Sequence, residues 1–305
     1  MGFFVPAGIF CLWFDTTYDS SIWRGRTPTP FTIVKRENVS STAFILTVRP
    51  QVSQHHLRDN DPYSEFWNFG TWAVKIVQPE LQISRYYTPL PPLDTDRSEK
   101  LRFLIRKIED GEVSVYLDRL SVGGKVKLYE PTGTAGLNSS DDVTDVVFLA
   151  GGTGIAPAMG FAYSLLERKH ANEGPRIHIL WANRRREDCL GGDSHSGTTP
   201  REGIRRNRLV KELDDLQQKH PDRLFVDYFV DEEGTTIDAN RIWQATKTTS
   251  AQSGTPTKML LVSGPEGFVD YFAGMKKWED GEHKQGDVGG LLGRMRLEGW
   301  KVLKL

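Results

Sequence analysis

Apolar and polar residues change rhythm twice along this chain. Residues 2–14 are almost wholly apolar. From Phe31 the pattern becomes alternation. Phe31 and Ile33, then Phe44, Leu46 and Val48, predict two strands on either side of a polar turn. Further strands are predicted over 72–77, 81–87, 101–108 and 125–129, with a short helix after Ser114 through Val115, Leu117 and Leu120. Many short strands separated by turns predict an antiparallel barrel or sandwich. Residues 50–70 read as a long loop carrying Tyr63, Phe66, Trp67 and Phe69. Those rings either pack over the barrel or form a docking surface.

Past a small, polar stretch at 133–142, read as an interdomain linker, the rhythm becomes β-α-β. Continuous apolar runs at 146–150, 177–182, 225–230 and 259–263 alternate with helices predicted over 156–168, 207–220 and 266–276. Buried runs alternating with helices predict a parallel, doubly wound sheet. Residues 191–203 and 246–257 read as insertions. The predicted organisation is an apolar segment over 1–26, an antiparallel β-barrel domain over 27–136 and a doubly wound parallel-sheet α/β domain over 143–305.

Length and charge narrow the classes. At 305 residues the chain can hold two cores. A net charge of −1 gives no field for nucleic acid or an anionic membrane. Cys11 and Cys189 lack CxxC or metal-ligand spacing, so neither a disulfide framework nor a metal site is expected. The run at 2–14 is shorter than the roughly 20 apolar residues of a spanning helix. It lacks the basic start of a signal peptide, and Pro6 interrupts a long helix. Three readings stay open: the remnant of a longer membrane anchor, an interfacial segment, or a strand-like cover on the core.

Four short segments carry candidate chemistry. Gly151-Gly152-Thr153-Gly154-Ile155-Ala156-Pro157 follows an apolar strand and opens a helix. Glycines there let backbone approach a phosphate at a helix N-terminus. The spacing is not GxGxxG, and a plain tight turn is the alternative. Arg85-Tyr86-Tyr87-Thr88 closes an alternating strand, putting Arg85 and Tyr87 on one face and Tyr86 and Thr88 on the other. Such a face offers a guanidinium to a pyrophosphate and a ring to a flavin, or is simply sheet surface. Gly111-Glu112-Val113-Ser114 allows Ser114 to cap a helix aimed at a phosphate, or merely to cap it. Ser263-Gly264-Pro265-Glu266 ends the fourth apolar run, where ligands sit in open α/β sheets, or is an ordinary turn.

The four motifs, in this order, resemble those of the ferredoxin-reductase superfamily, and within it the NADH-cytochrome b5 reductase group. Its flavin motif Arg-x-Tyr-Thr is present as Arg85 to Thr88, its Gly-x-x-Ser as Gly111 to Ser114, and its Gly-Gly-x-Gly-Ile-x-Pro as Gly151 to Pro157. Its Cys-Gly-Pro appears as Ser263-Gly264-Pro265, with serine for cysteine. The resemblance implies FAD and NADH or NADPH as cofactors. It implies that Arg85 pairs with the FAD pyrophosphate, Tyr87 packs beside the isoalloxazine and Thr88 bonds near its reactive edge. Ile105 and Arg106 would contact the adenosine side, and Val113 and Ser114 the pyrophosphate. Thr153 would reach toward flavin and nicotinamide, while Gly151, Gly152, Gly154 and Pro157 shape the dinucleotide site. Ser263, Gly264 and Pro265 would sit under the nicotinamide, making Thr88, Thr153 and Ser263 the residues nearest the reaction. The serine is harder and more strongly solvated than the cysteine it replaces, which implies slower hydride transfer. Some members end in an aromatic residue stacked on flavin; that role is not assigned to Trp300.

Asn183-Arg184-Arg185-Arg186 ends the second strand of the α/β part, where a ribose 2′-phosphate would lie. The arginines suit NADPH, unless they pair with Glu187 and Asp188; the family branch implies NADH. A narrower similarity is to the fungal mitochondrial flavoproteins that serve cytochrome c import, carried by Gln78 to Ile83 and by 289–302. It implies an inner-membrane-associated protein assisting haem attachment. The expected activity is hydride transfer from NAD(P)H to FAD, then electrons to a haem-protein acceptor. The alternatives are a non-catalytic flavin-binding accessory protein that docks cytochrome c or its haem lyase, and a soluble reductase with another acceptor.

Overall fold

The computed structural model describes residues 22–23, 27–51, 61–93, 99–136, 143–169, 174–193, 205–247, 257–279 and 282–305. The apolar run at 2–14, most of the 191–203 and 246–257 insertions, and the last part of the 133–142 linker lie outside them. No described helix is long and apolar enough to cross a membrane.

The first half is an antiparallel sheet built from β1 (Thr29–Asn38), β2 (Ala43–Pro50), β3 (Gly70–Gln78), β4 (Ile83–Tyr87), β5 (Pro89–Leu90), β6 (Leu101–Arg106), β7 (Lys125–Leu128) and β8 (Thr132–Gly136). The strand order is β4-β3-β7-β1-β2-β6-β5, with β8 paired to β3. The two ends of this path, β4 and β5, are consecutive in the chain and joined by Thr88 alone. The sheet therefore comes round on itself through one residue, with no ladder between β4 and β5 among the described residues. Alternation supplies its core: Phe31, Ile33, Phe44, Leu46, Trp72, Phe103, Ile105 and Val126 all point inward.

Two expectations change here. Residues 133–136 belong to β8 rather than to a linker, because their backbone pairs with β3 at Gly70 to Trp72. The aromatic cluster of the long loop is packing, not a free surface. A short helix α1 (Ser64–Trp67) turns Tyr63 and Trp67 onto Trp72, with ring centroids 5.9 and 5.2 Å away. All three rings are buried.

The second half is a parallel sheet of β9 (Val143–Gly151), β10 (Arg176–Asn183), β11 (Leu224–Val230), β12 (Thr257–Ser263) and β15 (Trp300–Lys304), in the order β11-β10-β9-β12-β15. A hairpin of β13 (Lys277–Glu279) and β14 (Glu282–Lys284) lies between β12 and β15 in the chain. The helices are α2 (Glu112–Arg119) in the first half, then α3 (Ile155–Tyr163), α4 (Arg208–Lys219), α5 (Ala239–Lys247), α6 (Glu266–Ala273) and α7 (Gly290–Met295). Strand order reverses at β9, so the crevice at the carboxyl ends of β9 and β12 is the place for a ligand.

The halves share an apolar seam. Residues Ile155 to Ala162 of α3 are all buried, because the helix lies between its own sheet and strands β3 and β5. Ala43, Ile45, Leu90 and Leu104 leave the barrel core and join the α/β core. This is why β2 is buried on both faces although its sequence alternates only weakly. Polar pairs brace the seam. Arg102 on β6 meets Glu212 on α4 at 2.5 Å, both nearly fully buried. Arg208 holds the same carboxylate at 2.7 Å. Removing one partner of such a pair would strand a buried charge.

Candidate active site

A cleft of about 500 Å³ opens between the two sheets, within the size range of cofactor pockets. One wall comes from Arg85, Tyr86 and Tyr87 of β4 and from Thr88. The floor comes from Leu104 and Arg106 of β6, from Ile108 and from Asp110 to Ser114. The far wall is Thr153, Gly154, Ala156 and Pro157 at the start of α3, with Ser263 and Gly264 after β12. All four sequence motifs therefore meet in one cavity.

One end of the cleft is built on α2. Gly111 is its N-cap, and no side chain caps the helix. The first turn leaves N–H groups that have no acceptor inside the helix. A Cβ at Gly111 would lie 2.6 Å from Ser114 Oγ and 3.0 Å from Ile108 Cβ, so only glycine fits. Ser114 does not cap the helix as expected. It lies in the first turn, and its hydroxyl accepts from Ile108 N–H at 3.1 Å and donates to Gly111 C=O at 3.1 Å. It shapes the turn and leaves the helix mouth to an anion. Arg85 stands over that mouth, exposed, with Nη2 3.6 Å from Glu112. An uncapped helix start beside a surface guanidinium fits a pyrophosphate.

Tyr87 is half-buried and meets Phe103 edge-on, with centroids 6.5 Å apart. Burial pushes its phenol up to about 12, against a small opposing effect of Arg85. It stays neutral throughout the working range. Tyr86 also lines the cleft, because β4 is an edge strand, and Lys75 sits over its ring at 4.9 Å.

The turn from β9 into α3 is tight. Gly152 has φ +53° and its carbonyl accepts from Trp181 Nε1 at 2.9 Å. A Cβ at Gly154 would lie 2.1 Å from the carbonyl oxygen of Ser263, so the ends of β9 and β12 approach closely only because the residue is glycine. Gly151 and Gly152 are outside the cleft lining; a Cβ at Gly151 would meet the Phe268 ring, and one at Gly152 would stand 3.9 Å from the Arg106 guanidinium. Pro157 occupies the first turn of α3, where its missing N–H costs nothing.

Some expected site residues lie elsewhere. Ile105 is fully buried in the barrel core; alternation along β6 gives the cleft to Leu104 and Arg106 instead. Asn183, Arg184 and Pro265 are outside the cleft lining. Asn183 is buried at the end of β10, and its carboxamide has no hydrogen-bond partner among the described residues. Trp300 begins β15 and so lies at the opposite end of the sheet from Ser263. Of the three arginines, Arg186 is bound by Glu233 and its backbone N–H donates to Glu232 at 2.6 Å. Arg185 reaches Glu187 at 3.4 Å. Asp188 pairs with neither, but with Arg106 at 2.8 Å.

Residues 30–136 match the family described as an oxidoreductase FAD-binding domain. The chain is similar to NADH-cytochrome b5 reductase 2 of Candida glabrata, 30% identical over 222 residues that cover 69% of this chain and 63% of that protein. It is also similar to NADH-cytochrome b5 reductase 2-A of Vanderwaltozyma polyspora, 26% identical over 224 residues covering 72% and 66%. The chain thus spans a little under two thirds of these relatives. Its structure is similar to the cytochrome b5 reductase domain of Ulva prolifera nitrate reductase, with TM-score 0.62, 16% identity, and 93% and 99% of the two chains covered. The chain shares the ferredoxin-reductase fold of this neighbour.

Within this ferredoxin-reductase fold, sequence reasoning missed several cleft residues. Leu104, Ile108 and Asp110 line the cavity without belonging to a recognised motif. Phe268 was missed as well. Its ring lies 2.8 Å from where a Cβ of Gly151 would stand and 3.0 Å from one at Gly264, so it roofs both strand-end turns. The only signal for it was an aromatic residue in the first turn of a helix that follows a strand end.

Proposed function

We propose that this chain is an FAD-dependent oxidoreductase of the cytochrome b5 reductase type, oxidising NADH and passing electrons to a haem-type acceptor. One observation carries the reading. Thr88, at the flavin-side motif, and Thr153 with Ser263-Gly264, at the nicotinamide-side motif, line a single cleft. Bound there, FAD would take two electrons from a nicotinamide as hydride and release them singly to two ferric haems.

The protein's own part is placement. Arg85 and the uncapped start of α2 would hold the pyrophosphate. Tyr87 supplies a neutral ring wall, and Thr88 and Thr153 offer hydroxyls from opposite sides. Ser263 and Gly264 provide a close-packed far wall, and the apolar seam excludes water. NADH, rather than NADPH, is supported by the names of the relatives and by the charge beside β10. Arg185 and Arg186 are engaged by carboxylates, and the turn Asp231-Glu232-Glu233 is acidic.

We also propose, from the similarity of Gln78 to Ile83 and of 289–302, that the acceptor belongs to cytochrome c haem attachment in mitochondria, with the protein at the inner membrane. The test uses the full chain loaded with FAD, NADH under argon, and either a ferric c-type or a ferric b-type cytochrome. Haem reduction that requires both NADH and FAD is expected, faster with the c-type acceptor. Flavin-loaded protein that reduces neither cytochrome overturns the reading.

A further inference from the structure

Four residues form a closed circuit across the seam, one link of it through the Thr42 backbone N–H. Ser40 and Thr42 lie in the turn between β1 and β2, Arg106 ends β6, and Asp188 belongs to the α/β half. Ser40 Oγ donates to Asp188 Oδ1 at 2.7 Å. Thr42 N–H donates to Ser40 Oγ at 3.3 Å. Arg106 Nη1 donates to Thr42 Oγ1 at 3.0 Å. Arg106 Nη2 and Asp188 Oδ2 close the ring as an ion pair at 2.8 Å.

The circuit crosses between the halves twice, through both oxygens of one carboxylate. Asp188 is only 3% exposed and Arg106 about a third, so water competes poorly for the pair. Both ends are anchored. Lys107 N–H donates to Thr42 C=O at 2.8 Å, fixing the hairpin turn to β6. Asn207 Nδ2 donates to Asp188 C=O at 2.7 Å, while its Oδ1 caps α4 through Val210 N–H. Ser41 adds a parallel tie to Glu187, through N–H at 2.9 Å and Oγ at 2.6 Å. Arg106 itself lines the cleft, and its guanidinium is 3.9 Å from where a Cβ of Gly152 would stand. The brace therefore ends on the turn that faces the flavin half.

We propose that Ser40, Thr42 and Asp188, through Arg106, form a clamp that sets the distance between the flavin half and the nicotinamide half, acting as positioning residues for electron transfer between them. This rests on the function proposed above. The physical reason is the steepness of transfer with distance. Misplacement by about 1 Å costs about a hundredfold in rate. An apolar seam is non-directional and permits sliding, whereas a hydrogen bond at Asp188 Oδ1 together with an ion pair at its Oδ2 resists it.

The test compares the wild-type full chain with Ser40→Ala and Asp188→Asn, both loaded with FAD. Amide hydrogen exchange is measured first. Faster exchange is expected at residues 40–43 and 184–190 in both variants, with β9 and β12 unchanged. Reduction by NADH and by its 4-deuterated form is then followed by rapid mixing under argon. Limiting rates should fall about tenfold in Asp188→Asn and by a smaller factor in Ser40→Ala, with a larger isotope effect, unchanged FAD content and a half-saturating NADH concentration within about twofold. A purely structural role would lower the melting temperature without moving the isotope effect. Unchanged seam exchange in both variants overturns the clamp, as does a limiting rate within about twofold of wild type in both. Should Asp188→Asn fail to fold, Ser40→Ala, which keeps the ion pair, decides alone. If wild-type protein is not reduced by NADH at all, the proposed function fails, and the exchange data still decide whether the clamp exists.

Discussion

At the scale of single residues, charge and close approach shape the cleft. Arg85 is exposed at the mouth of α2, with Glu112 as its nearest acidic neighbour at 3.6 Å. Arg85→Ala should cost about 1.5–3 kcal/mol of flavin affinity, about ten- to a hundredfold in Kd, with little change in melting temperature of the flavin-free protein. Flavin titration by fluorescence checks it. Gly154 is the residue where the ends of β9 and β12 meet. Gly154→Ala would force a Cβ into the Ser263 carbonyl, and overpacking of that kind costs about 1–3 kcal/mol. Denaturant unfolding should show that loss. Glu233 holds Arg186, and the hydrogen bonds from that guanidinium keep its carboxyl below the ordinary value. Glu233→Gln should release the arginine toward a 2′-phosphate and raise kcat/KM for NADPH by about tenfold, an effect of about 1.4 kcal/mol, while NADH changes little. These residues differ in how visible they were. Arg85 and Gly154 belong to motifs whose order could be read from the chain. The partners of Arg106 and Arg186 are 82 and 47 residues away, and no local pattern announces them.

At the scale of elements, helix α2 illustrates what a sequence conveys. Its existence was legible from Val115, Leu117 and Leu120, but its start was not. Ser114 looks like a cap, yet it sits in the first turn because its hydroxyl is spent on the Ile108 to Gly111 turn. The helix is pinned from below by Asp118. Hydrogen bonds from Lys107 and then Arg36 hold that carboxyl below its ordinary value. A depressed carboxyl contributes stability that is present above its unfolded pKa and is lost as pH falls through the folded one. Asp118→Asn should therefore melt earlier than wild type at pH 7. The gap should close as pH falls below about 4. A gap that persists undiminished at pH 3 contradicts this. Other elements escaped the pattern for definite reasons. Helix α3 stops at Tyr163 and continues as a wider turn, where Ser164 bonds back to Trp67 and Gly70 carbonyls. Strand β8 reads as linker because TGTAG has almost no apolar content; only the ladder to β3 makes it a strand. Helix α5 buries just Ile242, Ala245 and Thr246, too sparse a stripe to stand out.

At the scale of the whole molecule, two sheets of opposite construction are joined by a shared apolar seam, the buried pair Arg102–Glu212 and the circuit through Asp188. The change from alternating to continuous apolar runs was enough to read both sheets from the chain. Their relative placement was not, since it depends on contacts between residues far apart in sequence. That placement brings Thr88 and Ser263 to one cleft, and it is the reason to expect a nicotinamide-driven flavoprotein. The central claim is tested by the visible spectrum of the purified full chain supplied with FAD, recorded before and after NADH is added under argon. A yellow protein that bleaches with NADH, and more slowly with NADPH, is the predicted result. A protein that takes up no FAD, or a yellow one that neither coenzyme bleaches, would contradict it.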